Sequence, residues 1–144
     1  MKSVLIVEDE IFVALELEHV VTQAGLTVSG IAADRKSALE AASTSDIALV
    51  DLNLRDGPTG PEIGAALSRI YGIKVIYVTA NPAQIGDMGH IALGVITKPF
   101  RGSTVQEALR LAADEDADLA TADIVGFTPF ITRSGSSTGA GFSG

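Results

Sequence analysis

The sequence predicts a doubly wound α/β domain, a parallel sheet with helices on both faces, and three observations carry that expectation. Short apolar, β-branched-rich runs recur at Val4 to Val7, Leu26 to Ala32, Ile47 to Val50, Lys74 to Val78 and Val95 to Thr97. A stretch of helical character follows each run. The runs are mostly apolar at successive positions rather than alternating, which is the pattern of strands covered on both sides.

Taken in order, the helices carry their own signals. Glu10 to Ala24 places Ile11, Ala14, Leu15, Glu18 and Val21 at helical spacing, with Gly25 as a C-terminal stop. Asp34 is placed to cap a short second helix carrying Ala38, Leu39 and Ala42. Pro61 suits the first turn of a third helix carrying Ile63, Ala66, Leu67 and Ile70, and Gly72 lies past its end. A fourth helix opening at Asn81-Pro82 is weak, because Gly86 and Gly89 each cost about 1 kcal/mol relative to Ala in a helix interior. Thr104 with Glu107 matches a capping box for a last helix carrying Val105, Ala108, Leu109 and Ala112.

This organisation divides the chain into a domain over residues 1–118 and an extension over 119–144, expected to be largely disordered because Ser134 to Gly144 is rich in Gly, Ser and Thr. Within the extension, Ile124 to Ile131 is apolar. The plain expectation is a segment without a role. The sharper one is that Phe127 and Phe130 cover an apolar patch on this or a neighbouring molecule.

Composition narrows the function. At 144 residues the chain can close one core without staples, and its apolar runs fall far short of the roughly 20 residues that span a bilayer. The N-terminus meets acid at Glu8, leaving no room for a signal peptide, so a cytoplasmic protein is expected. There are no cysteines, which excludes disulfides, thiol nucleophiles and Cys-based zinc sites. A net charge of -8 with ten scattered basic residues argues against direct nucleic-acid binding.

In open α/β sheets the ligand crevice lies beyond the carboxyl ends of the strands. Here the residues at those ends are Glu8-Asp9, Asp51, Thr79 and Lys98. Any one alone reads as a helix cap or a solvated turn. Together they bring three carboxylates against a single ammonium, an imbalance that a divalent cation would relieve. Oxygen donors favour Mg²⁺, with Mn²⁺ as the variant, and a site that handles phosphate.

Four blocks then carry a resemblance: Val-Leu-Ile-Val-Glu8-Asp9-Glu10, Ala-Leu-Val-Asp51-Leu-Asn53-Leu-Arg55-Asp56-Gly57-Pro-Thr-Gly60, Val-Ile-Tyr-Val-Thr79-Ala80 and Val-Ile-Thr-Lys98-Pro99-Phe100. In order and spacing, over roughly residues 2 to 117, they resemble the signature blocks of bacterial two-component response-regulator receiver domains. The resemblance implies a five-stranded flavodoxin-like sheet in order 2-1-3-4-5. It makes Asp51 the phosphoacceptor, with Glu8, Asp9, Asp51 and the backbone carbonyl of Asn53 on the metal. It gives Lys98 to a phosphoryl oxygen and Thr79 to reporting the event, and it implies a cis Lys98-Pro99 bond. The implied phosphodonor is a histidine kinase or histidine phosphotransfer protein, docking near the first helix with Phe12 and Leu15 as contacts unless these are ordinary core residues. Output would be protein contact or service as a phosphate sink, and a homodimer is compatible with both.

Two departures stand out. Val95 occupies a position where many receivers carry Tyr or Phe, so the aromatic gate is absent, and Arg55-Asp56-Gly57-Pro58 replaces the common Met-Pro turn. Three rivals remain. An Asp-nucleophile phosphohydrolase needs a second acid two residues on, where this chain has Asn53. A flavin-binding protein of the same fold should offer hydroxyls and backbone amides to phosphate in its first loop, where Glu8-Asp9 would instead repel that phosphate. An adaptor that is never phosphorylated would not need Asp51, Thr79 and Lys98 together.

Overall fold

The computed structural model describes residues 2–116 and 123–130. Its elements are β1 (Ser3–Val7), α1 (Ile11–Gln23), β2 (Thr27–Ala32), α2 (Arg35–Ala41), β3 (Ile47–Val50), α3 (Gly60–Tyr71), β4 (Lys74–Thr79), β5 (Gly94–Thr97), α4 (Gly102–Ala113) and β6 (Phe127–Pro129). A short 3₁₀ turn, Ala42–Thr44, follows α2, and a 3₁₀ segment, Pro82–Ile91, joins β4 to β5.

The strands lie in the order β2-β1-β3-β4-β5-β6. The first five are parallel, as expected. A sixth strand adds to them: β6 pairs antiparallel with β5, matching Gly94 with Pro129, Val95 with Thr128 and Ile96 with Phe127. The apolar stretch within the extension thus contributes a strand, and Phe127 finds an apolar seat on the sheet and is buried there. Residues 117–122 and 131–144, including the Ser134 to Gly144 tract, lie outside the described residues.

One apolar layer joins the sheet to α2 and α3 through Leu5, Val7, Leu52, Ile63, Leu67 and Tyr77. The opposite layer joins it to α1 and α4 through Ile6, Leu17, Val21, Leu49, Val105 and Leu109. Strands β1, β3 and β4 are buried almost throughout, so their sequence reads as continuous apolar runs.

Asp34 caps α2 by accepting from the Ser37 amide at 2.9 Å, and Pro61 sits in the first turn of α3. Gly72 ends α3 in the left-handed conformation at φ 68°, with its own amide bonded to Ser68 O and the Ile73 amide to Leu67 O. Three details differ from expectation. Ile70 faces solvent. The Pro82–Ile91 segment is 3₁₀ and kinked at Gly86, φ 59°, which glycine tolerates and a regular helix does not. Thr104 is no cap: α4 begins two residues earlier, and the buried Thr104 hydroxyl donates to Val125 O at 2.8 Å, tying α4 to the turn before β6.

Candidate functional site

Parallel strands place their carboxyl ends on one edge, and that edge is where the polar residues gather. Glu8 follows β1, Asp51 follows β3, Thr79 closes β4 and Lys98 follows β5. Asp51, Thr79 and Lys98 line a cavity of about 380 Å³ together with Asp9 and Asn53.

Lys98 Nζ lies 2.9 Å from Glu8 Oε1 and 3.1 Å from Asp51 Oδ2. The other Glu8 oxygen accepts from the Glu10 amide at 3.2 Å, and Asp51 Oδ1 accepts from the Leu52 amide at 2.7 Å. Burial, reinforced by the Asp51 charge, pushes the Glu8 carboxyl up to about 7 against the opposing hydrogen bonds from Lys98 and the Glu10 amide. Burial alone would lower the Lys98 ammonium. The hydrogen bond to Glu8 and the charges of Glu8 and Asp51 outweigh it and hold Lys98 above its ordinary value.

One ammonium therefore faces three carboxylates, since Glu8, Asp9 and Asp51 offer oxygens all within 4.8 Å of one another. Glu8 and Asp51 are buried while Asp9 is exposed. A closely spaced, all-oxygen cluster that remains open to water on one side fits a Mg²⁺ ion, which keeps several waters and takes few carboxylates.

Thr79 is buried, and its hydroxyl accepts from the Asn81 amide at 3.0 Å. The Lys98 amide donates to Thr79 O at 2.8 Å, which locks the ends of β4 and β5 together. The Lys98-Pro99 bond is cis. Asn53 lines the cavity, but its side chain turns outward to Gln84. Gln84 escaped the sequence reading, since a lone glutamine in a polar stretch carries no signal of its tertiary partner.

The Arg55-Asp56-Gly57-Pro58 departure resolves into a tight turn. Leu54 and Gly57 exchange backbone hydrogen bonds of 2.9 and 3.0 Å, and Asp56 accepts from the Arg35 amide and the Thr59 hydroxyl. Val95 is buried beside Tyr77 on the face that Phe130 packs against, so the extension brings an aromatic ring to the layer that lacks one on β5. On α1, Phe12 is 85% exposed and Ile11 and Leu15 are also exposed, so these are not core residues.

Against known proteins, the family model described as the response regulator receiver domain matches residues 4–110. The chain belongs to the response-regulator receiver family. This receiver is 33% identical over 115 residues to the phyllosphere-induced regulator PhyR of Methylorubrum extorquens, covering 76% of this chain and 43% of that protein. It thus spans less than half the length of that relative. Among solved structures it is similar to the receiver domain of PhyR from Erythrobacter litoralis, at 31% identity and a TM-score of 0.71, covering 78% of this chain and 89% of the other. It is also similar to the anti-anti-sigma factor PhyR of Bartonella quintana, at 28% identity and a TM-score of 0.67, covering 78% and 47%. The receiver assignment places the chain in two-component signalling. Among the described residues no helix is long and apolar enough to cross a membrane.

Proposed function

We propose that this receiver accepts a phosphoryl group on Asp51 from a histidine kinase or histidine phosphotransfer protein, in a Mg²⁺-dependent reaction. The observation that carries this reading is the placement of Asp51 at a crevice that it shares with Glu8, Asp9 and Lys98. A carboxylate oxygen of Asp51 attacks phosphorus as the bond from phosphorus to the donor's histidine nitrogen breaks. The nitrogen leaves with the electron pair of that bond and takes a proton from solvent.

Bound by Glu8, Asp9, Asp51 and the backbone carbonyl of Asn53, the metal would supply charge neutralisation of the phosphoryl oxygens. Lys98 exchanges a carboxylate contact for a phosphoryl oxygen, a transfer that its position between Glu8 and Asp51 makes short. Thr79 gives up the Asn81 amide and turns its hydroxyl toward another phosphoryl oxygen, drawing the Thr79-Ala80 loop inward.

The donor docks on the exposed apolar face of α1, where Ile11, Phe12 and Leu15 adjoin a groove lined by Val13, Lys98 and Phe100. Output is contact with a protein target or drainage of a shared kinase, from a receiver unit over residues 1–118 and in the cytoplasm. The Bartonella relative is an anti-anti-sigma factor, which favours output by contact. Conventional enzyme turnover is not part of this reading: the phosphohydrolase alternative lacks an acid at Asn53, and the unphosphorylated adaptor alternative has no need of Asp51, Thr79 and Lys98 together.

Acetyl phosphate with Mg²⁺ should give one phosphoryl adduct by mass spectrometry, abolished by Asp51→Asn. No Mg²⁺-dependent adduct, from acetyl phosphate or from a phosphorylated histidine phosphotransfer protein, would leave the adaptor reading in its place.

A further inference from the structure

The rim of the crevice carries a pair of side-chain amides bonded to each other. Asn53 Nδ2 donates to Gln84 Oε1 at 3.1 Å, and Gln84 Nε2 donates back to Asn53 Oδ1 at 2.7 Å. A reciprocal pair of this kind requires a donor and an acceptor on adjacent atoms of each partner, which the carboxamides of Asn and Gln supply without any change of protonation. It joins the loop after β3, which holds Asp51 and Asn53, to the segment that follows Thr79, the last residue of β4.

Gln84 is itself held in place. Its amide donates to Asn81 O at 3.1 Å, and the next residue, Ile85, is buried in the apolar layer with Leu52, Leu54 and Ala92. Asn53 is exposed, but its neighbours Leu52 and Leu54 are buried and Leu54 exchanges two backbone hydrogen bonds with Gly57. The amide pair therefore ties two anchored segments together across the rim.

We infer that Gln84 is a positioning residue for the Asp51 site: by clasping the Asn53 carboxamide it holds the loop that offers the Asn53 carbonyl to Mg²⁺ and narrows water's approach to Asp51. This rests on the proposed phosphoacceptor reading and adds to it a residue outside the crevice lining. Groups that orient a metal's ligands are felt in its affinity, and each neutral hydrogen bond contributes modestly.

The test compares the full chain with Gln84→Met, which keeps bulk but has no amide, with Asn53→Ala, which keeps the backbone carbonyl, and with the double variant. Mg²⁺ affinity is read by titration of backbone amide shifts, without phosphorylation, and the lifetime of the adduct is read after acetyl phosphate is removed. Gln84→Met should weaken Mg²⁺ binding and shorten the lifetime, each roughly threefold to tenfold, the range of one lost hydrogen-bond pair. The double variant should be no worse than the more affected single one, because either change alone removes the whole clasp. Additive effects, or an unchanged Mg²⁺ affinity and lifetime in Gln84→Met, would overturn the inference. If the wild-type chain formed no adduct, the phosphoacceptor reading would fail, while the Mg²⁺ titration would still decide the role of Gln84. Unchanged amide shifts along β1 show that the variants remain folded.

Discussion

Gly60 packs directly on the backbone of Asp51: a Cβ on Gly60 would overlap the Asp51 carbonyl oxygen and the Leu52 Cα. The Gly60 amide also donates to Leu52 O at 3.0 Å, so the start of α3 is fastened to the strand end that carries Asp51. The position of the Asp51 side chain is therefore set from behind, by close backbone approach, as well as from the front by Lys98.

Gly60→Ala should disturb this arrangement more than a surface Gly→Ala change does. The added methyl meets backbone, which cannot rotate away, so α3 must shift or the Asp51 loop must move. A loss of about 2–3 kcal/mol is expected, the usual scale of overpacking in a core, measured by urea denaturation. Phosphorylation should fall with it. A variant of wild-type stability and phosphorylation rate would mean that the two backbones separate easily.

Lys98→Ala removes the ammonium that faces Glu8 and Asp51, both buried. Leaving buried carboxylates without their partner is costly, but Glu8 can take up a proton, so a loss of about 2 kcal/mol is expected at neutral pH. Added Mg²⁺ should restore more stability to the variant than to the wild type, because the ion then faces the full carboxylate charge. Denaturation with and without Mg²⁺ checks both points. Equal Mg²⁺ stabilisation of the two proteins would show that Lys98 does not share its carboxylates with the metal.

Tyr77 gives the fold a pH dependence at the alkaline end. It is fully buried, its hydroxyl donates to Pro61 O at 3.3 Å, and burial pushes it up to about 12. In the unfolded chain a tyrosine ionises near its ordinary value of about 10. The unfolded state therefore loses its proton first, and stability that is intact below about pH 10 should decline toward pH 12, by on the order of 2–3 kcal/mol. In Tyr77→Phe the tyrosine share of this decline should disappear, leaving the smaller alkaline loss that the raised Lys98 contributes, while neutral stability changes little. An alkaline profile identical in the two proteins would assign the loss to other groups.

The residues of the candidate site were legible because a parallel sheet buried on both faces leaves continuous apolar runs, and the polar residue that ends each run sits on the edge where such sheets bind ligands. Glu8, Asp51, Thr79 and Lys98 are all of that kind. The first residues of α3 and the stop at Gly72 were also local signals. What could not be read depends on distant partners. Thr104 resembled a cap, but its hydroxyl is taken by Val125 O, 21 residues away. Gln84 gains its meaning only from Asn53, 31 residues earlier. The strand β6 has three residues, one of them proline, and no period to detect.

That strand rests on a notch made by an absent side chain. A Cβ on Gly94 would come within 2.6 Å of the Phe127 ring and 2.5 Å of Thr128 O, so the antiparallel pairing with β5 is open only to glycine there. Gly94→Ala should expel β6 and expose the β5 edge, with Phe127 losing its seat at a cost of about 2–3 kcal/mol. An uncovered edge strand invites pairing with another chain, so sedimentation should show concentration-dependent self-association in this variant and in a chain ending at residue 122. In that shortened chain Gly94→Ala should have almost no further effect on stability, because its two obstacles are gone. If Gly94→Ala destabilises the shortened chain as much as the full one, the cost comes from β5 itself, and β6 is not what the glycine serves.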